Sequence, residues 1–348
     1  MSFVAKTGTH LEEPLQCQNN TVVKMNEFHL VQVKGTWKRK TGNNLNSNLK
    51  TRVSAAKIYE STTEQGTSWT VISPIVFTYK VTECLGLLDP SNDTLLLGHI
   101  RDPQQLEALR NSTRPLRRFV VMDQTVYNLY GCQLTDYLEA RNVLYQILPL
   151  PTTEENKSME LVMKILDEVH KFSLDRRTEP IIAIGGGVCL DIVGLAASLY
   201  RRRTPYIRVP TTLLSYVDAS VGAKTGVNFA NCKNKLGGYV PPVAAFLDRS
   251  FLQTVSRQQI SNGLAEMLKM ALMKHKGLFE LLETHGQLLL DSKFQSNSGL
   301  EDNKDIASLS TRMAIETMLE ELAPNLWEDD LDRLVDFGHL ISPELEMM

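Results

Sequence analysis

The residues best suited to chemistry lie at positions 185–234, where glycines and charged groups follow apolar segments. Three consecutive glycines at 185–187 stand between a predicted strand and a predicted helix. Glycine lets a backbone approach a pyrophosphate, and the amino end of the next helix supplies N–H groups and a positive dipole end. The triplet is not the G-x-G-x-x-G fingerprint, so it does not indicate an ordinary Rossmann domain.

A polar set follows this glycine turn. Thr211 and Thr212 come after Pro210 at the end of an apolar segment, and open α/β sheets bind ligands where their strands end. Small residues at 219, 220, 222 and 223 leave room for a ligand, although a solvated loop with charges of both signs is the alternative. The charged and amide groups of this glycine-punctuated loop and its continuation are Asp218, Lys224, Asn228, Lys233 and Asn234.

Half of a metal site is also predicted. Glu266 and Lys269 lie three residues apart in an apolar helical pattern and therefore share one helix face. Such a pair is commonly a surface ion pair, and a lone histidine such as His339 is commonly structural. Together, Glu266 and His339 suit two positions of a catalytic zinc site, which takes three protein ligands. His275 and His285 are alternatives that helical periodicity does not rank.

Length and composition limit the function classes. The 348 residues are enough for two domains, and 43% hydrophobic with 22% charged residues is typical of globular proteins. A net charge of −3 gives no reason to expect binding to nucleic acid or membrane. The five cysteines lack C-x-x-C spacing, and neither a signal-peptide core nor an apolar run of transmembrane length is present. We therefore expect a soluble cytoplasmic protein with reduced thiols.

Hydrophobic patterning predicts three regions. Residues 1–65 are a polar extension that we expect to be loosely structured. Residues 66–258 alternate strand and helix patterns, which is typical of a mainly parallel sheet covered by helices, with a break at Pro74 and a helix cap at Asp123. From 259 to 348 the pattern is helical, so we expect an all-α second domain.

Six ordered segments resemble the sugar phosphate cyclase superfamily, whose best-known member is 3-dehydroquinate synthase. The resemblance covers about 118–346 and rests on LPLPTTEENKS, GGGVCLDIVG, RVPTTLLSYVDASVGAKTGVN, KNKLGG, NGLAEMLK and DFGH. It implies an NAD-binding α/β domain, a helical metal-binding domain, a Zn²⁺ or Co²⁺ ion, a small sugar phosphate as substrate and a homodimer.

Individual roles are implied by the same resemblance. Glu266 and His339 resemble two of the three metal ligands. The residues that resemble NAD contacts are Asp123, Glu154, Lys157, Gly186, Gly187, Val188, Asp191, Thr211, Thr212, Phe251 and Thr254. The residues that resemble the substrate and phosphate set, taken as catalytic, are Arg202, Asp218, Lys224, Lys233, Asn234, Asn262, Lys269 and Asp336.

Departures from the dehydroquinate synthase pattern indicate a subfamily. Asp332, Asp336 and Pro343 stand where those enzymes carry arginine, asparagine and a second histidine. Loss of the arginine and histidine predicts a substrate without a carboxylate, because an unpaired anion in a closed site would be costly. Leu322, Asp336 and Pro343 together resemble the 2-epi-5-epi-valiolone synthase branch, which cyclises sedoheptulose 7-phosphate with phosphate release and transient reduction of NAD.

Other functions remain as alternatives. Desmethyl-4-deoxygadusol synthase uses the same substrate, and 3-dehydroquinate synthase shares the motifs. Metal-dependent polyol and glycerol-phosphate dehydrogenases share the glycine and Pro-Thr-Thr turns. The sequence ends nine residues after His339, before the family's third metal histidine. We therefore expect a truncated chain, and a catalytically impaired variant that binds NAD or dimerises with a full-length copy is a further alternative.

Overall fold

The computed structural model describes residues 57–63, 65–73, 75–295, 305–339 and 341, together with the backbone of strands at 22–25 and 28–32. The chain divides into two compact units, Met1–Thr78 and Tyr79–Met348. Within the described ranges, no helix has the length and apolar character needed to cross a bilayer.

The first unit contains a four-stranded antiparallel sheet in the order β1-β2-β3-β4. Gly66 begins the last strand with φ 137°, a value that favours glycine. Trp69 pairs with Glu60 across the last two strands, and its indole N–H donates to the carboxylate at 3.0 Å. Three strands therefore lie in the segment predicted to be loose; Pro74 lies outside the described residues. The strands are β1 (Val22–Met25), β2 (Phe28–Gln32), β3 (Lys57–Thr63) and β4 (Gly66–Ile72).

The second unit is built on a six-stranded sheet in which every pairing is parallel, as the alternating pattern predicts. The strand order is β5-β12-β9-β8-β6-β7. Strands β8, β9 and β12 are buried along their whole length, which explains their continuous apolar sequences. The strands are β5 (Lys80–Cys84), β6 (Arg117–Asp123), β7 (Leu144–Leu150), β8 (Ile181–Gly185), β9 (Tyr206–Pro210) and β12 (Ala244–Asp248).

Helices cover both faces of this sheet and then form a separate layer. The predicted cap at Asp123 is confirmed, because its carboxylate accepts from Thr125 N at 2.9 Å and Val126 N at 3.1 Å. The helices are α1 (Thr94–Leu97), α2 (Pro103–Arg110), α3 (Gln124–Ala140), α4 (Met159–Lys171), α5 (Gly187–Leu199), α6 (Arg257–Met273), α7 (Lys276–Ser292) and α8 (Ile306–Leu322).

Three apolar clusters hold the second unit together. One lies under α3, and a second lies under α4 and α5 on the opposite sheet face. The third joins Leu213, Tyr216 and Leu247 from the sheet region to Met267 and Met318 from the helical layer. The helices predicted after residue 258 are therefore confirmed as elements, and they pack directly on the sheet region.

The segment predicted as a glycine-punctuated loop forms an antiparallel hairpin. Its strands are β10 (Lys224–Phe229) and β11 (Cys232–Tyr239). Gly226 and Gly237 face each other in this pairing, and a Cβ at Gly237 would lie 2.2 Å from the carbonyl oxygen of Thr225. The glycines therefore permit a close approach of two strands.

The four cysteines that the structure describes are free thiols, as predicted. Burial, with the nearby charges of Asp248 and Glu83, raises the pKa of Cys84 to about 12. Burial and the charge of Asp123 raise the pKa of Cys189 to about 12. Both thiols are therefore protonated and poorly nucleophilic at neutral pH.

Gly263 provides the first test, because it allows α6 to approach the turn after β9. A Cβ there would lie 2.5 Å from Leu213 Cβ and 2.7 Å from the backbone nitrogen of Leu214. We expect Gly263→Ala to lower the free energy of unfolding by about 1–3 kcal/mol through overpacking. Urea denaturation measures this change.

Gly286→Ala is the matched control, because Gly286 lies inside α7 and a Cβ there meets nothing within 4 Å. Helix propensity predicts that this change raises stability by up to about 1 kcal/mol. Equal effects of the two substitutions would contradict the packing described for Gly263.

Candidate active site

A cavity of about 560 Å³ lies in the second unit and brings together many of the predicted residues. Its walls come from the 218–223 loop, the β10–β11 hairpin, α6, the end of α8 and residues 326–339. The predicted residues that line it are Asp191, Asp218, Lys224, Asn234, Glu266, Lys269, Asp336 and His339.

Predicted NAD contacts lie along the carboxyl edge of the sheet. Asp123 ends β6, Glu154 follows β7, residues 186–188 follow β8, and Thr211 and Thr212 follow β9. The strands β9, β8, β6 and β7 are neighbours, so these positions form one continuous edge. Ligands of open parallel sheets bind at this edge.

The glycine turn leaves polar groups open for a ligand. Gly186 is the N-cap residue of α5, and this glycine has no side chain that could accept a hydrogen bond from the first turn of the helix. Thr211 donates its backbone N–H to the carbonyl oxygen of Gly185 at 2.9 Å. The Thr211 hydroxyl oxygen is buried and meets no hydrogen-bond partner among the residues that the structure describes. An unpaired hydroxyl beside a helix amino end suits a phosphate or ribose group.

A buried lysine connects this edge to the cavity. Lys157 is only 5% exposed, and its ammonium donates to Asp191 Oδ2 and Asn234 Oδ1, each at 2.7 Å. Asn228 donates its side-chain amide to Glu154 Oε1 at 2.9 Å. These contacts hold the hairpin against the loop after β7, so residues predicted to bind the cofactor and residues predicted to bind the substrate share one network.

Asp218, Glu266 and Lys269 form the second charged group. Lys269 Nζ lies 2.7 Å from Glu266 Oε1, and the two side chains are only 15% and 14% exposed, which excludes an ordinary surface ion pair. No donor meets the buried Glu266 Oε1 with hydrogen-bond geometry, although Lys269 is close. Burial, followed by the charge of Glu266, raises the pKa of Asp218 to about 6, against the opposing effect of Lys269 and Lys224.

A third network lies between the hairpin and residues 328–336, and sequence reasoning missed its central members. Glu328 Oε1 lies 2.7 Å from Lys224 Nζ, and Glu328 Oε2 accepts from Tyr239 Oη at 2.9 Å. Arg333 pairs with Glu328 and donates to Asp336 Oδ2 from Nε at 2.9 Å and from Nη2 at 2.5 Å. The side chains of Glu328 and Arg333 are each only 8% exposed.

One sequence signal could have identified Arg333. It is adjacent to Asp332, the position where dehydroquinate synthases carry arginine, so a guanidinium reaches the cavity from the next residue. Lys235 also lines the cavity and was not singled out, because the fold of the hairpin decides which of its lysines faces inward.

The predicted metal ligands line the same cavity. His339 Nδ1 lies 3.0 Å from Asp336 Oδ1, and burial opposes ionisation of Asp336 while hydrogen bonds from Arg333 lower its pKa. Glu266 Oε1 already lies 2.7 Å from the Lys269 ammonium, and a carboxylate oxygen is a type of ligand that zinc accepts. In the part of the chain that the structure describes, no three His, Cys, Asp or Glu side chains are grouped to hold one. Glu266 and His339 therefore share the cavity, and their metal-ligand roles stay predictions.

Arg202 and Lys233, which belong to the predicted substrate set, do not line the cavity. Arg202 follows the carboxyl end of the 13-residue helix α5, about 20 Å from its glycine end. Lys233 lies on the hairpin with Nζ 3.9 Å from Glu154 Oε1, while Asn234 and Lys235 line the cavity. Geometry within one chain does not support substrate contacts for Arg202 and Lys233, so those roles stay predictions.

The lining also lacks Asn262, Phe251 and Thr254. Asn262 is exposed one helical turn before Glu266 on the same face of α6. Phe251 is buried and its ring packs 5.0 Å from the ring of Tyr130, whose hydroxyl lies 3.0 Å from Thr254 Oγ1. The predicted cofactor roles of Phe251 and Thr254 are untested by these contacts.

Known proteins resemble this chain in sequence and in fold. The family model for the amino-terminal region of 3-dehydroquinate synthase matches residues 147–262. A 2-epi-5-epi-valiolone synthase from Actinomyces sp is 49% identical over 279 residues, which cover 80% of this chain and 70% of that protein. A demethyl-4-deoxygadusol synthase from Trichormus variabilis is 41% identical over 231 residues, covering 66% and 56%.

A solved structure supports the fold. ValA, the 2-epi-5-epi-valiolone synthase from Streptomyces hygroscopicus subsp. jinggangensis 5008 with NAD⁺ and Zn²⁺ bound, superposes with a TM-score of 0.71. The two sequences are 43% identical, and the match covers 80% of this chain and 71% of ValA. The fold is therefore the dehydroquinate synthase-like α/β fold with a helical part. The chain belongs to the sugar phosphate cyclase family of enzymes.

The raised pKa of Asp218 predicts a pH-dependent stability. Because its folded pKa of about 6 lies above the ordinary value of 3.8, stability is lost as pH rises through this interval and the buried carboxyl ionises. Relative to the parent, Asp218→Asn should be near neutral at pH 4 and more stable by about 1–2 kcal/mol at pH 8. Urea denaturation across this range, in a chelating buffer, measures the difference.

Asp291→Asn is the control of opposite sign. Arg257 and Gln287 donate hydrogen bonds to Asp291 and lower its pKa. Its ionised form therefore stabilises the folded chain at high pH. A stability difference for Asp218→Asn that shrinks or reverses between pH 4 and pH 8 would contradict the buried carboxyl described here.

Proposed function

We propose that the protein converts sedoheptulose 7-phosphate to 2-epi-5-epi-valiolone with release of phosphate, using NAD and a divalent metal ion. The observation that supports this proposal most strongly is the pairing of Arg333. Its guanidinium binds both Glu328 and Asp336, so it is not available to a substrate carboxylate. A wall with two carboxylates around one guanidinium suits a polyhydroxylated substrate and disfavours an acid.

Relatives support the same substrate class. The Actinomyces protein that is 49% identical and ValA at 43% identity are both named 2-epi-5-epi-valiolone synthase. Because ValA binds NAD⁺ and Zn²⁺, we infer the same cofactors for this chain. The chain spans 70% of the Actinomyces protein, so the activity of the whole relative comes to this chain as a proposal.

The residues at the sheet edge fit NAD. The uncapped amino end of α5 and the unpaired Thr211 hydroxyl provide donors for a dinucleotide, with Thr212 beside them. When bound, NAD supplies the oxidation of one secondary hydroxyl to a ketone and the later return of the hydride. Glu266 and His339 would be two ligands of the metal, and we assign no reaction step to that ion.

Charged residues of the cavity supply the remaining chemistry. A ketone acidifies the adjacent C–H bond, so the substrate loses that proton and expels phosphate by elimination. Lys224 and Lys269 would stabilise the negative charge that develops. Asp218, with a pKa of about 6, suits the transfer of a hydroxyl proton near neutral pH. The elimination leaves an unsaturated ketone; after this ketone has been reduced again, opening of the hemiketal ring releases an enol, which adds to the freed carbonyl in an intramolecular aldol reaction and closes the carbocycle.

The alternatives differ in observable products. Demethyl-4-deoxygadusol synthase, represented by the relative that is 41% identical, would give a cyclitol of different mass. An impaired variant would bind NAD without turnover. The homodimer and the cytoplasmic location stay predictions of this proposal.

Product analysis tests the proposal. The protein is incubated with sedoheptulose 7-phosphate, NAD and Zn²⁺ or Co²⁺, and phosphate and cyclitol are followed by colorimetry and mass spectrometry. We expect equal amounts of phosphate and 2-epi-5-epi-valiolone without net formation of NADH. Net NADH would instead indicate a dehydrogenase, and binding of NAD without product would indicate the impaired variant.

Lys224→Ala tests the charge stabilisation. We expect this change to lower kcat by about 100- to 1,000-fold, as loss of an electrostatic donor does in other active sites. Lys276→Ala is the matched control, because Lys276 also lies near a glutamate, at 3.5 Å, but on an exposed face with 88% of its side chain accessible. Near-normal kcat in Lys224→Ala would remove Lys224 from the catalytic set.

A further inference from the structure

Arg208 is a charged residue buried in the middle of the sheet. It lies on β9 and is 0% exposed. Its Nη1 donates to the carbonyl oxygens of Ala219 and Gly222, each at 2.6 Å, and its Nη2 donates to the carbonyl oxygen of Lys224 at 2.7 Å. Among the described residues, no carboxylate lies within ion-pair distance of this guanidinium, so its partners are backbone carbonyls.

The three carbonyls belong to the loop that forms one wall of the cavity. Ala219, Gly222 and Lys224 line the cavity, and Asp218 directly precedes the loop. Tyr79 strengthens the same attachment, because its hydroxyl donates to the carbonyl oxygen of Val221 at 2.8 Å. Arg208 on β9 and Tyr79, which directly precedes β5, therefore donate hydrogen bonds to four carbonyl oxygens within residues 219–224.

We propose that Arg208 is a positioning residue of the reaction, whose buried guanidinium fixes the 219–224 loop and thereby the placement of Asp218 and Lys224. The planar fork of an arginine can bind several carbonyls at once, and its charge strengthens each hydrogen bond. A buried cation without a carboxylate partner is costly, so the loop carbonyls must satisfy it. The guanidinium and the loop consequently constrain each other to one geometry.

This inference rests on the proposed cyclase function. Asp218 and Lys224 lie at the two ends of the loop. Without the hydrogen bonds from Arg208, the loop would no longer hold the Asp218 carboxyl and the Lys224 ammonium at a fixed separation. A displacement of about 1 Å in catalytic groups costs about 100-fold in rate. We therefore expect Arg208→Met to lower kcat/KM by about 100-fold, with most of the loss in kcat. Arg208→Lys, which keeps the charge but loses the fork, should lie between the parent and Arg208→Met.

Arg118 provides a matched control elsewhere in the same sheet. It is 2% exposed on β6 and donates to the carbonyl oxygens of Arg117 and Leu96, each at 2.7 Å. Like Arg208, it has a buried Nε without a partner. Arg118 does not line the cavity. Arg118→Met should therefore lower the melting temperature while leaving kcat per folded molecule within about twofold of the parent.

The experiment combines kinetics with hydrogen exchange. Steady-state kcat and KM for sedoheptulose 7-phosphate are measured for the parent, Arg208→Met, Arg208→Lys and Arg118→Met, each corrected for its folded fraction. Amide exchange of residues 219–224 is measured by mass spectrometry in the same proteins without substrate. We expect faster exchange of this loop in Arg208→Met and unchanged exchange in Arg118→Met.

The outcomes distinguish the positioning role of Arg208 from the proposed cyclase function. If Arg208→Met and Arg118→Met have the same kcat, or if Arg208→Met leaves loop exchange unchanged, the positioning role is overturned. If Arg208→Met does not fold, Arg208→Lys decides by the same two measurements. Absence of turnover in the parent contradicts the cyclase function, whereas the exchange measurement still decides whether Arg208 fixes the loop.

Discussion

Mutual pairing of opposite charges is the interaction on which the cavity depends. Lys157 binds Asp191, Lys269 lies beside Glu266, and Arg333 binds Glu328 and Asp336. Charges that are partly removed from water require such partners, because an unpaired one would be strongly destabilising. The pairing also determines which substrate groups can bind, since a cation that is already paired with two carboxylates attracts a third one weakly.

The fold brings these charges together from distant parts of the sequence. Four neighbouring parallel strands deliver residues to one sheet edge, and the hairpin and α6 add the lysines and glutamates. Close contacts set their distances, as at Gly263, where α6 meets the turn after β9 without a Cβ between them. Arg208 and Tyr79 hold the remaining wall from inside the unit. Backbone contacts therefore position the charges, and the charges define the site.

Much of this architecture was predictable because its signals are local. Strands β6 to β9, the cap at Asp123 and the amphipathic helix α4 follow from short patterns of apolar and capping residues. Asp218, Lys224, Glu266 and His339 were singled out by their types and spacing, and all four line one cavity. These predictions need no knowledge of which distant segments meet.

The remaining features depend on tertiary contacts. Glycines at 226 and 237 have the composition of a loop, and only their pairing across a hairpin reveals that they permit close strands. Glu328 and Arg333 belong to no spacing pattern, and their role arises from contacts with Lys224 and Asp336. Arg208 had the sequence context of an ordinary strand residue. Which lysines of the hairpin line the cavity likewise depends on how its two strands fold together.

The central claim is that this cavity acts on a sugar phosphate without a carboxylate. The most direct measurement compares kcat/KM for sedoheptulose 7-phosphate with kcat/KM for a 2-keto-3-deoxyheptonate 7-phosphate, which has the same carbon number and a carboxylate at carbon 1. The account predicts that kcat/KM is at least about 100-fold higher for sedoheptulose 7-phosphate, whose carbon 1 carries no charge, because a carboxylate there would be buried without a partner. Equal turnover, or a preference for the acid, would contradict it.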